Sequence, residues 1–464
     1  MIEGLKPYTE YKESGLPWLG SVPAHWVTKR GKSYMTAIDR RSQAGKEELL
    51  TVSSARGVIP RNTAKVTMFK AESYAGYKLC WPGDLVINSL WAWGGGLGVA
   101  AHHGIISTAY SVYRPRPSAQ MNPRFLHELV RSSSFNWELH VRSKGIWISR
   151  LQLTDTSFLD APIPLPPPVE QAAIVRFLDH ANRKIDGFIR AKRKLIGLLN
   201  EQKQAIIHRA VTRGLNAATA FKPSGIPWLS GIPAHWGIVR NMALFAHRVE
   251  PGVAGHPVLQ VSLRSGITAE ELDQFGRPKR LIADATKYKR IHQGDMAYNT
   301  MRMWQGAVGV SPCDGLVSPA YVVLKPRQDT CADFYDFIFH TEIYKQQVNR
   351  QSTGIVSDRN RLYWDSFKQM PNLTLPRKEQ QEIVTFIAKE TAALNTAIAR
   401  TEREIALMQE YRTRLTADIV TGKLDVREAA AKLTDLPIDT AATEPAAEAL
   451  DEASDLEDAE PEGI

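Results

Sequence analysis

The sequence repeats itself. Residues 14–30 read SGLPWLGSVPAHWVTKR and residues 224–240 read SGIPWLSGIPAHWGIVR, identical at ten of seventeen positions and 210 residues apart. A repeat of this kind constrains the fold more than any local propensity, because a duplicated sequence builds a duplicated structure. The register persists down both halves. YKLCWPGDLVIN from Tyr77 matches YKRIHQGDMAYN from Tyr288, and GIISTAYSVYRPR from Gly104 matches GLVSPAYVVLKPR from Gly315. PPPVEQAAIVRFL from Pro166 then matches LPRKEQQEIVTFI from Leu375, and AVTRGL ending at Leu215 matches IVTGKL ending at Leu424. Two units of about 210 residues thus fill the chain up to residue 424, in keeping with a length beyond what one core supports.

Within each unit the pattern changes character. The first part is cut by Gly, Pro and aromatic residues into short runs such as LVIN, VSL, AYSVY and AYVVL, which predict strands of a mixed α/β (α+β) domain. Helices are expected near 123–134 and 334–348, and Gly83-Asp84 and Gly294-Asp295 read as turns before a strand. The last part is different. Apolar residues at Ile174, Leu178, Ala181, Ile185, Phe188, Leu195, Leu199 and Ile206, with polar Lys192 and Gln202 filling the two gaps, keep a spacing of four and three, and the second copy gives Ile383, Ile387, Leu394, Ile398, Ile405, Met408, Leu415 and Ile419. That spacing is the mark of long coiled-coil helices, with Pro168 and Pro376 at their starts and Gly214 and Gly422 near their ends. The expected partition is a domain over 1–165, a long helix over 166–215, a second domain over 216–374, a second helix over 375–424 and a tail over 425–464. An amphipathic helix of this length must bury its stripe, and an antiparallel pairing of the two copies does so; packing of each helix on its own domain is the alternative.

Charge is distributed unevenly. The net charge of +9 includes ten acidic residues and no Lys or Arg over 437–464, so the body carries +19. Such a body attracts polyanions, while the tail is too poor in large apolar groups to offset its ordering entropy and reads as disordered. No run approaches the length of a membrane span and the N-terminus lacks the layout of a signal peptide, so a cytoplasmic location without membrane contact is expected. Cys80, Cys313 and Cys331 have no metal-ligand spacing.

Base edges and phosphates call for Arg, Lys and amides beside aromatic residues. Two regions supply them in both copies. NSLWAWGGG from Asn88 faces NTMRMWQGA from Asn299, where a kept frame holds Trp91 in one copy and Arg302 in the other. Trp93 and Trp304 in the same segments read as core aromatics. VRSKGIWISR from Val141 aligns with NRQSTGIVSDRNRL from Asn349, giving Arg142, Lys144 and Arg150, and Arg350, Arg359, Asn360 and Arg361, as candidate DNA contacts. Lys192, Arg193 and Lys194 on the first long helix read as a solvated face or as contacts to unread phosphates.

Catalytic motifs do not recur. His25 and His235 sit between Ala and Trp in proline-rich turns, with no nucleophile or paired carboxylate repeated beside them, so they read as packing residues. Asn122-Pro123-Arg124-Phe125 lacks the second proline of a base-flipping adenine methyltransferase motif, and no phosphate-binding G-x-x-x-x-G-K-S/T loop occurs. Neither a catalytic site nor a metal site is expected, against the alternative of a DNA methyltransferase or nuclease in its own right.

Together the P-x-W-L…P-x-H-W opening, the GD…N and SPAY…P segments and the P-x-x-E-Q start of a long helix resemble the specificity subunit of Type I restriction-modification systems. The resemblance covers residues 1–424, with one departure: Ser107-Thr108 stands where the second copy keeps Ser318-Pro319. It implies two target-recognition domains, each reading one half of a bipartite, asymmetric double-stranded DNA site, and helices that set the unread spacer. It also implies binding of two modification (methyltransferase) subunits and of restriction and motor subunits. S-adenosylmethionine, Mg and ATP would then be held by those partners and no cofactor by this chain.

Overall fold

The computed structural model describes residues 5–63, 73–145, 151–216, 218–226, 229–263, 266–269, 284–353 and 360–433. The chain forms two compact units: one contains the residues up to Arg193 together with those from Glu402 onward, the other Lys194–Thr401. Each unit holds one globular head, the first half of the long helix that follows it, and the last half of the other long helix.

Both heads have the same antiparallel four-stranded sheet. In the first the order is Met35–Ile38, Tyr110–Pro115, Leu85–Asn88, Leu97–Val99; in the second it is Phe245–Arg248, Tyr321–Pro326, Met296–Asn299, Val308–Val310. The strands are the β-branched and aromatic runs expected from the sequence. A two-stranded ribbon closes each head by pairing Val27–Arg30 with Pro162–Leu165, and Gly237–Arg240 with Pro371–Thr374. The strand after each P-A-H-W segment is thereby tied to the strand just before each long helix. The Gly-Asp turns are structural: Gly83 and Gly294 have φ of 93° and 82°, values that cost a side-chain-bearing residue energy. Asp84 accepts two hydrogen bonds from Arg114, at 2.8 and 2.7 Å, whereas Asp295 is held by Arg248 Nε at 2.7 Å from a different strand.

The helix expected over 334–348 is two, and the one expected over 123–134 is followed by a second that the sequence did not mark. Pro123–Arg131 is followed by Ser133–Arg142, and Ala332–Phe339 by Glu342–Gln351. The break falls at Ser132 and Thr341, whose hydroxyls accept from Phe135 N and Tyr344 N and donate to Leu129 O and Ile338 O. A residue that caps the next helix while closing the previous one explains the break, which apolar periodicity alone does not reveal.

The long helices run over Pro168–Arg213 and Arg377–Val420. In the first unit Asp186 pairs with Arg412 and Lys192 with Glu404, so positions rise on one helix as they fall on the other and the packing is antiparallel. Lys192 is therefore in an ion pair and lies over the Phe188 ring. Ile174, Phe177, Leu178 and Ala181 share one core with Leu415, Ile419 and Val420 of the other helix, so packing of each helix on its own head alone is excluded. In the second unit Ile207, Ala210 and Val211 join Ile383 and Ile387. Burial concentrates at the helix ends. Phe188 and Leu195 of the expected seam are over a third exposed, while Ile189 and Ile207, one residue out of that register, are buried.

The repeated motifs meet at the helix ends. Glu170, in the first turn of its helix, accepts from Trp26 Nε1 at 2.8 Å and from the Tyr8 hydroxyl at 2.5 Å, with His25 Nε2 2.7 Å from its other oxygen. Burial beside this carboxylate pushes the Tyr8 phenol well above the usual range. Glu379 repeats the arrangement with Trp236 at 3.0 Å and His235 at 2.9 Å. The adjacent glutamines bind the head's backbone: Gln171 accepts from Asn122 N and donates to Gln120 O and Pro166 O, while Gln380 accepts from Cys331 N and donates to Asp329 O and Leu375 O. The helix-ending glycines arrive at the same place. A Cβ on Gly422 would lie 2.4 Å from Pro23 Cδ, and one on Gly214 3.3 Å from Trp236. Each P-A-H-W segment thus grips the start of one long helix through Glu and the end of the other through Gly.

Glu170→Ala leaves the buried Trp26 N–H and Tyr8 O–H without an acceptor and should cost about 3 kcal/mol in denaturant unfolding followed by tryptophan fluorescence. Glu379→Ala should cost less, because the Glu379 side chain is 24% exposed against 4% for Glu170. A second prediction concerns pH. Burial, then the nearby Arg131 and Arg124 charges, lower the His127 pKa to about 4. A depressed folded-state value means that the unfolded chain binds the extra proton, so this contribution to stability is lost as pH falls from about 6.5 towards 4. The melting temperature of the wild type should drop more steeply across that window than that of His127→Gln; equal slopes would show that His127 does not titrate this way.

Candidate nucleic-acid interface

Two divergent segments of each copy are brought together at the same backbone position. Leu153 N donates to Ser89 O at 2.9 Å in the first head, and Leu362 N to Thr300 O at 2.9 Å in the second. The bridges Lys144↔Gln152 and Thr353↔Arg361 close the second segment in both heads. The described parts of the two loop regions singled out from sequence thus adjoin in each head, on matching frames.

The frame residues are the asparagines. Asn88 Oδ1 accepts from Leu90 N at 3.1 Å and Asn299 Oδ1 from Met301 N at 3.0 Å, so in both heads that oxygen sets the turn after the strand. The residues inside the frame differ. Trp91 is half-buried, its ring 4.6 Å from Trp93 and its Nε1 donating to Ser54 Oγ at 3.2 Å. Two of the three glycines that follow it fit this indole: a Cβ on Gly94 would meet the ring at 2.5 Å and one on Gly96 at 3.1 Å. Arg302, its counterpart, is exposed. Trp93 is half-buried between Trp91 and His140, and Trp304 packs against the second core while donating to Met301 O at 3.0 Å.

The other candidates fall into distinct groups. Arg142 is tied to Glu138 at 2.6 Å and to Ser157 O at 3.4 Å. Lys144, Arg302 and Arg350 are exposed and pair with no carboxylate among the described residues. Asn360 Nδ2 lies 3.4 Å from Asn349 Oδ1, and Arg361 Nη1 3.5 Å from the Tyr363 hydroxyl. Arg150, Arg359 and the acidic tail lie outside the described residues.

In the second head the surface deepens into a groove of about 440 Å³ lined by Met301, Arg361, Tyr363, Trp364 and His247. His247 stacks on Trp364 with centroids 5.1 Å apart, and burial followed by the Lys289 charge lowers its pKa. Tyr363 and Trp364 escaped sequence reasoning because the first copy has Thr154 and Asp155 there, so no repeat marked them. In the first head Asp155 instead accepts from the Ser111 and Tyr113 hydroxyls at 2.6 and 2.7 Å.

Among the described residues no helix is long and apolar enough to cross a membrane, and no three His, Cys, Asp or Glu side chains gather as a metal site. No protein-family model matches the sequence, and neither does any curated protein. Solved structures do match. A chain from a structure describing complex assembly and conformational transition of the type I R-M system aligns over 87% of this chain and 99% of its own, with TM-score 0.60 and 16% identity. The HsdS subunit from Thermoanaerobacter tengcongensis aligns over 88% and 98%, with TM-score 0.40 and 17% identity. The Type I restriction-modification S subunit from M. genitalium aligns over 85% and 96%, with TM-score 0.32 and 10% identity. With two like heads, paired long helices and a match along nearly all of the first of these chains, this protein has the fold of a subunit of a type I restriction-modification system.

Proposed function

We propose that this chain is the DNA sequence-specificity subunit of a Type I restriction-modification complex, each head reading one half of a bipartite, asymmetric site. The observation that carries the reading is the pair of equivalent surfaces, joined by the same backbone hydrogen bonds and bearing different side chains. Two readers on one frame need shared backbone and divergent contact residues, and here Trp91 opposes Arg302 while Gln152 opposes Arg361. The exposed Lys144, Arg302 and Arg350 supply phosphate or guanine contacts, and Trp91 or Tyr363 a planar apolar face. Arg142 acts mainly by holding its helix through Glu138.

In this reading the chain is not itself an enzyme. It scaffolds two modification subunits and the restriction and motor subunits, which hold S-adenosylmethionine, Mg and ATP. The long helices set the length of the unread spacer.

The test is selection of sites from a random duplex library by the chain in complex with its modification subunits. One bipartite sequence should emerge; a single continuous site, or none, overturns the reading. Replacing residues 27–160 with those of a relative should change one half of that sequence and leave the other. Four residues inserted after the exposed Gly197 add about 6 Å of helix, and should lengthen the spacer or abolish selection. An unchanged spacer would remove the ruler role. The isolated chain with duplex, labelled S-adenosylmethionine and Mg should neither methylate nor cut.

A further inference from the structure

Arg131 ends the helix Pro123–Arg131, and the interface described above does not use it. Its guanidinium is enclosed by backbone. Nη1 donates to Leu97 O at 2.7 Å and reaches Gly95 O at 3.3 Å and Ser53 O at 3.5 Å; Nη2 donates to Ser54 O at 2.6 Å and Ala55 O at 2.9 Å. These carbonyls belong to two separate segments, 53–55 and 95–97, each of which touches Trp91. The first loop supplies Ser54 Oγ to the Trp91 Nε1–H, and the second supplies Gly96, against which the indole rests. A planar, five-donor cation that cannot lose its charge is suited to such a bridge.

The second head shows that the scaffold does not require this arginine. The same close crossing of strands occurs in both: a Cβ on Gly98 would lie 2.9 Å from Gly57 Cα, and one on Gly309 2.9 Å from Gly266 Cα. The residue in register with Arg131 is His340, whose ring lies 3.4 Å from where a Cβ on Gly306, the counterpart of Gly95, would sit, and which bonds to the Asp336 carbonyl of its own helix. Arg131 thus changes together with Trp91, whose counterpart Arg302 is exposed and has no indole to seat.

We infer that Arg131 is a positioning residue for sequence discrimination by the first head: it clamps the two loops that seat Trp91 and so fixes the indole against the nucleic acid. The inference rests on the reading of the chain as a DNA-specificity subunit. The two heads make that dependence testable, because each can be challenged separately.

The experiment measures binding of the complex to its selected site and to duplexes with single-base changes in either half. Wild-type discrimination at both halves is a condition of the functional reading, and its absence would overturn that reading. With discrimination present, Arg131→Gln should lower it about tenfold in the first half-site and leave the second unchanged. Trp91→Phe should give a similar loss, and the double variant no further loss. Arg131→Lys, which keeps the charge without the fork, should fall between. Equal losses at both half-sites, or additive losses in the double variant, overturn the inference. Should Arg131→Gln fail to fold, Ser54→Ala cuts only the indole hydrogen bond; it should weaken first-half discrimination, and full discrimination in that variant overturns the inference.

Discussion

A carboxylate at the start of each long helix holds this protein together. Glu170 and Glu379 turn from their own helix ends to take tryptophan and histidine donors from the head, at separations of 2.7 to 3.0 Å. Burying a carboxylate is costly unless its oxygens are well supplied with donors, and the P-x-H-W segment supplies two at once. The neighbouring glutamines bond the head's backbone, and the glycine ending the other helix packs on the same Pro and Trp. Three sequence signals far apart in the chain, P-A-H-W, E-Q and the terminal glycine, are one structural feature seen twice.

That anchoring separates what is fixed from what is free to change. Strand order, turn asparagines and the backbone link between the two divergent loops are the same in both heads. The side chains on those loops are not. The first head presents a braced indole; the second presents an exposed arginine beside a groove lined by Tyr363 and Trp364. Even the buried support differs, since Asp84 takes its arginine from Arg114 and Asp295 from Arg248. A duplicated scaffold that tolerates such exchange can present two unlike surfaces.

Most of the fold was legible because duplication is legible. The strands and both long helices followed from periodicity, and the helix bounds came within a few residues. What failed depended on tertiary contacts. Thr341 splits a single expected helix by capping and Ser132 starts one that was not expected, and the heptads did not show that burial would concentrate where the helices meet the heads. The histidines were read as packing residues, but their carboxylate partners 145 and 144 residues away could not be seen. The candidate loops were singled out by divergence inside a kept frame, which is why Trp91 and Arg302 stood out. Arg131 did not stand out, because its partners are carbonyls, which every residue has.

In the proposed function, two unlike heads on one scaffold direct modification to a split DNA sequence. The most direct measurement is a genome-wide map of modified adenines in the host, before and after removal of this chain. One asymmetric motif, two short specific halves around a fixed unspecified gap, should be methylated in the first map and unmethylated in the second. An adenine map that does not change when the chain is removed would contradict the account.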